Sequence, residues 1–235
     1  DISPKDIDAV ITNCSLFSCT PSISSHIINR YKMRTDVINY SLGGMGCSAG
    51  LISIDLAKDF LSSHPNSTVL IFSTENITHS LYYGHDRSRL LPYTLFRMGG
   101  AALILTNKRS LRKKALYELD ALVRVNFASD DECHSVVYQT EDEDGELGIR
   151  LGRELVQCVS KALKANLTRL FPQILPLHEK ARFVINTIRR KVLKQKNVPP
   201  YVPNLQGTIH AYCIHAGGRG VIDGIQKTFS LTDED

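Results

Sequence analysis

The run Leu42-Gly43-Gly44-Met45-Gly46-Cys47-Ser48-Ala49-Gly50 constrains this chain more than any other stretch. Residues 36–40 before it predict a short strand, and Leu51, Ile52, Ile54, Leu56, Ala57, Phe60 and Leu61 after it predict a helix over 47–63. A strand joined to a helix through a sharp glycine turn exposes the side chain at the turn. Glycine tolerates the backbone angles such a turn needs and lets a substrate come close. Cys47 stands at the mouth of the helix, where the first N–H groups have no intrahelical partner and can hold an anion. The same helix end is expected to lower the thiol's pKa and favour the reactive thiolate. The competing reading is a buried structural cysteine beside a tight turn.

A second candidate stretch is His210-Ala211-Tyr212-Cys213-Ile214-His215-Ala216-Gly217-Gly218-Arg219. Its alternation predicts a strand ending at Gly217-Gly218, then a helix over 220–229. On a strand, Ala211, Cys213 and His215 share one face, and His210 and Tyr212 the other. His215 would then reach a strand end, where α/β folds gather catalytic groups. A single histidine is more often structural, but Gly217 and Gly218 clear side chains from a ligand's path. A cysteine with a distant histidine is the pattern of covalent catalysis by a thiolate.

The rest of the chain alternates predicted strands (7–14, 68–73, 101–106) with helices, which implies sheets covered by helices. Thr20 is a candidate N-cap for a helix over 22–31, with Pro21 at its first position. The cysteine helix is apolar almost all round in its first half, as in a helix buried in a core. Helices are predicted over 151–171 and 177–194. The second mixes Phe183, Val184, Ile185 and Ile188 with Arg189, Arg190 and Lys191, which suits either an anionic membrane surface or a solvated basic face. Pro199, Pro200 and Pro203 predict a rigid connection into the histidine strand. Lys108 to Lys114 is a basic cluster, read as a solvated loop in preference to a phosphate contact. The acidic run at 141–145 predicts a polar hairpin turn.

A net charge of +4 is too slight to imply nucleic-acid binding. Six cysteines without compact spacing are read as reduced thiols. No paired Cys-x-x-Cys spacing marks a metal site, and no apolar run reaches the length of a transmembrane helix. No signal peptide is present, and the chain begins at Asp1, which is read as the start of an internal piece.

Taken together, the two motifs and the text between them resemble the plant-type 3-ketoacyl-CoA synthases. The resemblance rests on Asp6-Ile7-Asp8, Asn13-Cys14-Ser15-Leu16-Phe17, the run from Leu42 to Gly50, and Ser73-Thr74-Glu75-Asn76-Ile77-Thr78. It continues through Leu95-Phe96-Arg97-Met98-Gly99-Gly100, Val136-Val137-Tyr138-Gln139 and residues 213–223. It implies a thiolase-like layered α-β-α-β-α fold, incomplete at both ends: N-terminal-half elements over about 1–107, a helical and basic connection over about 108–206, and the start of a C-terminal half over about 207–235. It further implies a decarboxylative condensation of a long-chain acyl-CoA with malonyl-CoA in very-long-chain fatty acid elongation, without metal or other cofactor.

Under that resemblance Cys47 carries the acyl group and His215 polarises it, with Gly46, Gly217 and Gly218 around substrate and oxyanion. The implied partners are a second copy of the chain, other elongase subunits and the endoplasmic reticulum membrane, reached through helices upstream. Nucleic acid is not among them. The family's catalytic Asn matches no residue here. Asn126 stands where the family commonly has His, and Leu81-Tyr82-Tyr83 stands where Trp is usual. The alternatives are a related chalcone-synthase or ketoacyl-carrier-protein-synthase type enzyme, or a truncated, inactive paralogue that only binds elongase subunits.

Overall fold

The computed structural model describes residues 2–195, 198, 199, 201 and 209–229. Pro200 and Pro203 of the expected rigid connection lie outside them. The chain divides into two compact units, residues up to 119 with 131–155, and 120–130 with 156 onward.

The first unit is built on a four-stranded sheet in the order β2-β1-β3-β4: β1 Ala9–Asn13, β2 Ile38–Leu42, β3 Thr68–Glu75 and β4 Gly99–Thr106. β1 pairs parallel with β2 and β3, while β4 runs antiparallel to β3. All five β1 residues are buried, because helices cover both of its faces. On one face Ala9 and Ile11 join Val69 and Ile71, and close against Ala57 and Phe60 of helix α2 (Ala49–Ser63). On the other, Ser24 of helix α1 (Ile23–Tyr31) donates to the Asn39 side chain at 3.2 Å, and Asn39 sits in register with Val10.

Two local expectations shift. The N-cap of α1 is Ser22, whose hydroxyl accepts from the Ser25 N–H at 3.2 Å, so Thr20 and Pro21 precede the cap. Only one stripe of α2, Ala49, Ser53, Ala57 and Phe60, is buried. Leu51 faces outward, so α2 is not a helix buried all round. The small residues of that stripe let the helix lie close on the sheet.

Helix α3 (Arg87–Leu95) packs on a hairpin of the same unit. After the short helix α4 (Asp131–Ser135), β5 (Val137–Glu141) and β6 (Leu147–Leu151) pair antiparallel, joined by the acidic turn as predicted. The Asp142 carboxylate accepts the N–H groups of Asp144 at 2.9 Å and Glu146 at 2.8 Å. Arg89 is only 7% exposed. Its guanidinium donates to the carbonyls of Thr140, Gly148 and Glu141, and its Nε lies 3.1 Å from Asp86. Tyr82 is buried and donates its hydroxyl to Asp142.

In the second unit, helix α5 is Leu155–Ile174, later than expected because β6 claims residues up to Leu151. The predicted helix over 177–194 splits into α6 (Leu177–Thr187) and a π-helical turn (Ile188–Val192), marked by the Leu193 N–H reaching the Ile188 carbonyl at 3.0 Å. Phe183, Val184 and Ile185 are each about half exposed, so α6 lacks one clean apolar face. Helix α7 spans Arg219–Phe229, as expected within a residue. The predicted strand before it does not form. Residues 211–216 join no ladder. Instead the Ile214 N–H turns back to the Tyr212 carbonyl at 3.1 Å and the Gly217 N–H to the His215 carbonyl at 2.9 Å. Alternation alone does not make a strand without a paired neighbour, and the shared face assigned to Ala211, Cys213 and His215 falls with it.

Gly148 tests the hairpin packing. A Cβ there would stand 2.7 Å from Tyr82 Cδ2 and 3.2 Å from Arg89 Cδ. Gly148→Ala is expected to cost about 1–3 kcal/mol in urea unfolding, because the crowded groups are buried and cannot swing away. An unchanged unfolding midpoint would count against this packing.

Candidate active site

The turn that presents Cys47 follows from the sheet edge. β2 ends at Leu42, and the Cys14 N–H reaches the Leu42 carbonyl at 3.1 Å, one step past the ladder. The chain then turns with φ of +66° at Gly44 and +64° at Gly46. A Cβ at either position would meet nothing within 4 Å, so the backbone angle and not space requires glycine there. A single 3-10 turn, Gly46–Ser48, leads into α2. The Ser15 hydroxyl bonds the Gly46 carbonyl at 3.4 Å, and the Ser48 hydroxyl bonds the Met45 carbonyl at 3.1 Å. Cys47 is exposed on this turn, as predicted.

Beneath the turn lies a polar relay that sequence reasoning missed. Asn13 at the end of β1 is 2% exposed and Ser53 of α2 is fully buried. The Asn13 amide donates to the Ser53 hydroxyl at 2.8 Å and accepts from the Ser73 hydroxyl at 2.8 Å. Ser53 in turn donates to the Ala49 carbonyl at 2.8 Å. The first turn of α2, and so the position of Cys47, is thereby tied to β1 and β3. The signal available in the sequence was a polar residue at each of three positions otherwise given to apolar ones. Glu75, at the end of β3, fixes the neighbouring loop: its carboxylate accepts the N–H of Ser15 at 3.0 and 3.1 Å, the N–H of Leu16 at 2.9 Å and the Cys14 thiol at 3.1 Å.

The electrostatics reverse one expectation. Burial around its sulfur pushes the Cys47 thiol up, the Glu75 carboxylate adds in the same direction, and the residue's own N–H opposes both. That N–H does not outweigh them. Cys14 is likewise pushed up, first by burial and then by its bond to Glu75. The turn exposes a thiol whose proton this environment holds more tightly than usual.

In the second unit, His215 is exposed. A Cβ on Gly217 would stand 3.1 Å from His215 Cδ2 and 3.3 Å from Nε2, so the missing side chain leaves room for the imidazole to lie over the backbone. Gly218 adopts φ +143°, and its carbonyl accepts the Val221 N–H at 3.1 Å at the start of α7. The structure thus joins Gly46 to Cys47 in one unit, and His215 to Gly217 and Gly218 in the other. Among the described residues, no three His, Cys, Asp or Glu side chains gather as a metal site.

Residues 1–192 match the family described as FAE1/Type III polyketide synthase-like protein. The chain belongs to that family. It is 49% identical over 233 residues to 3-ketoacyl-CoA synthase 5 of Arabidopsis thaliana, covering 99% of this chain and 47% of that protein. 3-Ketoacyl-CoA synthase 6 of the same plant is 48% identical over 233 residues, with 99% and 47% covered. The chain therefore spans about half the length of the curated relatives it matches. The C-terminal type III polyketide synthase domain of Steely1 from Dictyostelium superposes with a TM-score of 0.69 at 18% identity, covering 99% of this chain and 56% of that one. CsyB complexed with CoA-SH gives 0.66 at 18%, covering 98% and 58%. The fold is thiolase-like, as the resemblance implied.

Two outcomes test this site. Asn13→Ala leaves the Ser53 and Ser73 hydroxyls without their buried partner and is expected to lower stability by about 1–3 kcal/mol, measured by thermal unfolding. Because the Cys47 thiol is raised, its alkylation by iodoacetamide should climb about tenfold per pH unit and level off only above the ordinary thiol value of about 8.5. Glu75→Gln removes the repelling charge and should move that midpoint down. A midpoint below the ordinary value in the unaltered chain would contradict the burial assigned to the sulfur.

Proposed function

We propose that the protein takes part in very-long-chain fatty acid elongation by condensing a long-chain acyl-CoA with malonyl-CoA. The observation that carries this reading is Cys47, exposed on a turn with two positive-φ glycines, in a chain 49% identical to a named 3-ketoacyl-CoA synthase. The Cys47 thiolate attacks the acyl thioester, forming an S-acyl bond and releasing CoA. Malonyl-CoA then loses CO2 and leaves an enolate. Its carbon attacks the acyl carbonyl, the bond to Cys47 sulfur breaks, and a 3-ketoacyl-CoA two carbons longer departs with the thiolate restored.

The residues divide the work by chemistry. His215 is the base that the raised Cys47 thiol requires, and in the decarboxylation it donates to the thioester oxygen on which charge develops. The N–H of Cys47, at a helix mouth, serves the oxyanion of the acyl step. Gly46, Gly217 and Gly218 keep side chains away from the thioester. These steps call on no metal or redox group. CsyB, solved with CoA-SH, supports a CoA ligand on this fold.

Identity of 42–49% to 3-ketoacyl-CoA synthases, against 17–20% to the solved polyketide synthases, favours fatty acyl over polyketide chemistry. Matches over 99% of this chain favour a working enzyme over an inactive paralogue. The reading extends to a homodimer, to other elongase subunits as partners, and to the endoplasmic reticulum membrane as the place of work. No described helix is long and apolar enough to cross a membrane. The basic and apolar residues of α6 and the π-turn suit contact with that membrane's surface.

The test is an elongation assay on the whole protein with long-chain acyl-CoA and labelled malonyl-CoA. Cys47→Ala should lower 3-ketoacyl-CoA formation by at least about 10³-fold, and His215→Ala by about 10²–10⁴-fold. Turnover unchanged in either variant would remove that residue from the mechanism.

A further inference from the structure

The Gly46–Cys47 peptide unites the backbone of the turn with the group assigned above to the acyl oxyanion, the Cys47 N–H. A peptide is planar, so whatever fixes the Gly46 carbonyl also fixes the direction of the N–H on its opposite edge. Two donors reach that carbonyl. One is the Ala49 N–H, which closes the 3-10 turn. The other is the Ser15 hydroxyl at 3.4 Å, from the loop that follows β1. The first bond is ordinary helical geometry. The second depends on that loop being held against the turn. The half-buried Glu75 carboxylate accepts the Ser15 N–H at 3.0 and 3.1 Å and the Leu16 N–H at 2.9 Å, and bonds from an N–H to a carboxylate are of the stronger kind. From the other side the Ser80 hydroxyl donates to the Leu16 carbonyl at 3.2 Å. Ser15, Gly46, Glu75 and Ser80 all belong to the first unit.

We infer that Ser15, held by Glu75, is a positioning residue for acyl transfer: its hydroxyl sets the Gly46–Cys47 peptide so that the Cys47 N–H receives the oxyanion. This rests on the condensation reading. In that step the Cys47 sulfur bonds the acyl carbon and the carbonyl pair moves onto oxygen. Its return expels CoA thiolate, which takes up the proton that left Cys47. Charge on the oxygen peaks between the two events, and a donor stabilises it best when already aimed there. A hydroxyl on the peptide carbonyl also polarises the peptide and strengthens its N–H as a donor. At 3.4 Å the Ser15 bond is long, as catalytic hydrogen bonds often are before substrate arrives, and it tightens as charge builds. Ser15 acts through that N–H and not on the substrate.

The experiment compares two reactions of the same sulfur in the whole protein. Transfer from a long-chain acyl-CoA, without malonyl-CoA, builds an oxyanion. Alkylation by iodoacetamide displaces iodide at a saturated carbon and builds none. Ser15→Ala should slow acylation of Cys47 roughly tenfold, a part of what loss of an oxyanion donor costs, and leave alkylation unchanged. Ser15→Thr, which keeps the hydroxyl, should restore acylation. Glu75→Ala releases the loop and removes the charge that raises the Cys47 thiol, so acylation should fall while alkylation speeds up. Circular dichroism checks that each variant keeps the fold, and the two Ser15 variants carry the test if Glu75→Ala does not. Equal acylation by Ser15→Ala and the unaltered protein would overturn the inference alone. So would matching losses of acylation and alkylation, the mark of a turn that has merely come apart. An unaltered protein that takes no acyl group on Cys47 would remove the condensation reading, and this inference with it.

Discussion

The buried amide of Asn13 is the interaction on which the presentation of Cys47 depends. β1 is covered on both faces, so a polar group at its end must find partners inside the protein. It finds one on α2 and one on β3, each at 2.8 Å. That relay ties the strand that centres the sheet to the first turn of the helix that carries the nucleophile. The glycines supply the backbone angles of the turn, but the amide decides where the turn stands. Glu75 does the same for the adjoining loop, gathering the N–H groups of Ser15 and Leu16.

The same packing sets a chemical problem. Desolvation around the sulfur of the exposed Cys47, with the Glu75 carboxylate adding to it, stabilises the thiol's proton, and the residue's own N–H does not reverse this. A protonated thiol is a poor nucleophile, so the proposed reaction calls for a base. His215, held over Gly217 in the second unit, is chemically suited to that work.

Much of the sheet unit was legible in the sequence. The apolar runs of β1, β3 and β4 and the glycine turn before α2 announce themselves, because each is a local pattern with one favourable outcome. The direction of β4 was not, since it is set by the connection through α3 and not by strand composition. The relay through Asn13, Ser53 and Ser73 escaped notice because it joins residues far apart in sequence. So did the clamp of Arg89 and Tyr82 on the hairpin, whose parts are equally far apart in sequence. The stretch before α7 misled for a different reason. Its alternation is real, but a strand exists only with a neighbour to bond, and residues 211–216 turn on themselves instead. The π-turn after α6 left no trace in the apolar spacing.

The central claim is that Cys47, among six cysteines, carries the acyl group. The most direct measurement is peptide mass spectrometry of the whole protein after incubation with a long-chain acyl-CoA in the absence of malonyl-CoA. The account expects one acyl adduct, hydroxylamine-labile as a thioester, on the peptide containing Cys47, and its disappearance when malonyl-CoA is added. An adduct on Cys14, Cys213 or another cysteine, or one on Cys47 that malonyl-CoA does not discharge, would contradict it.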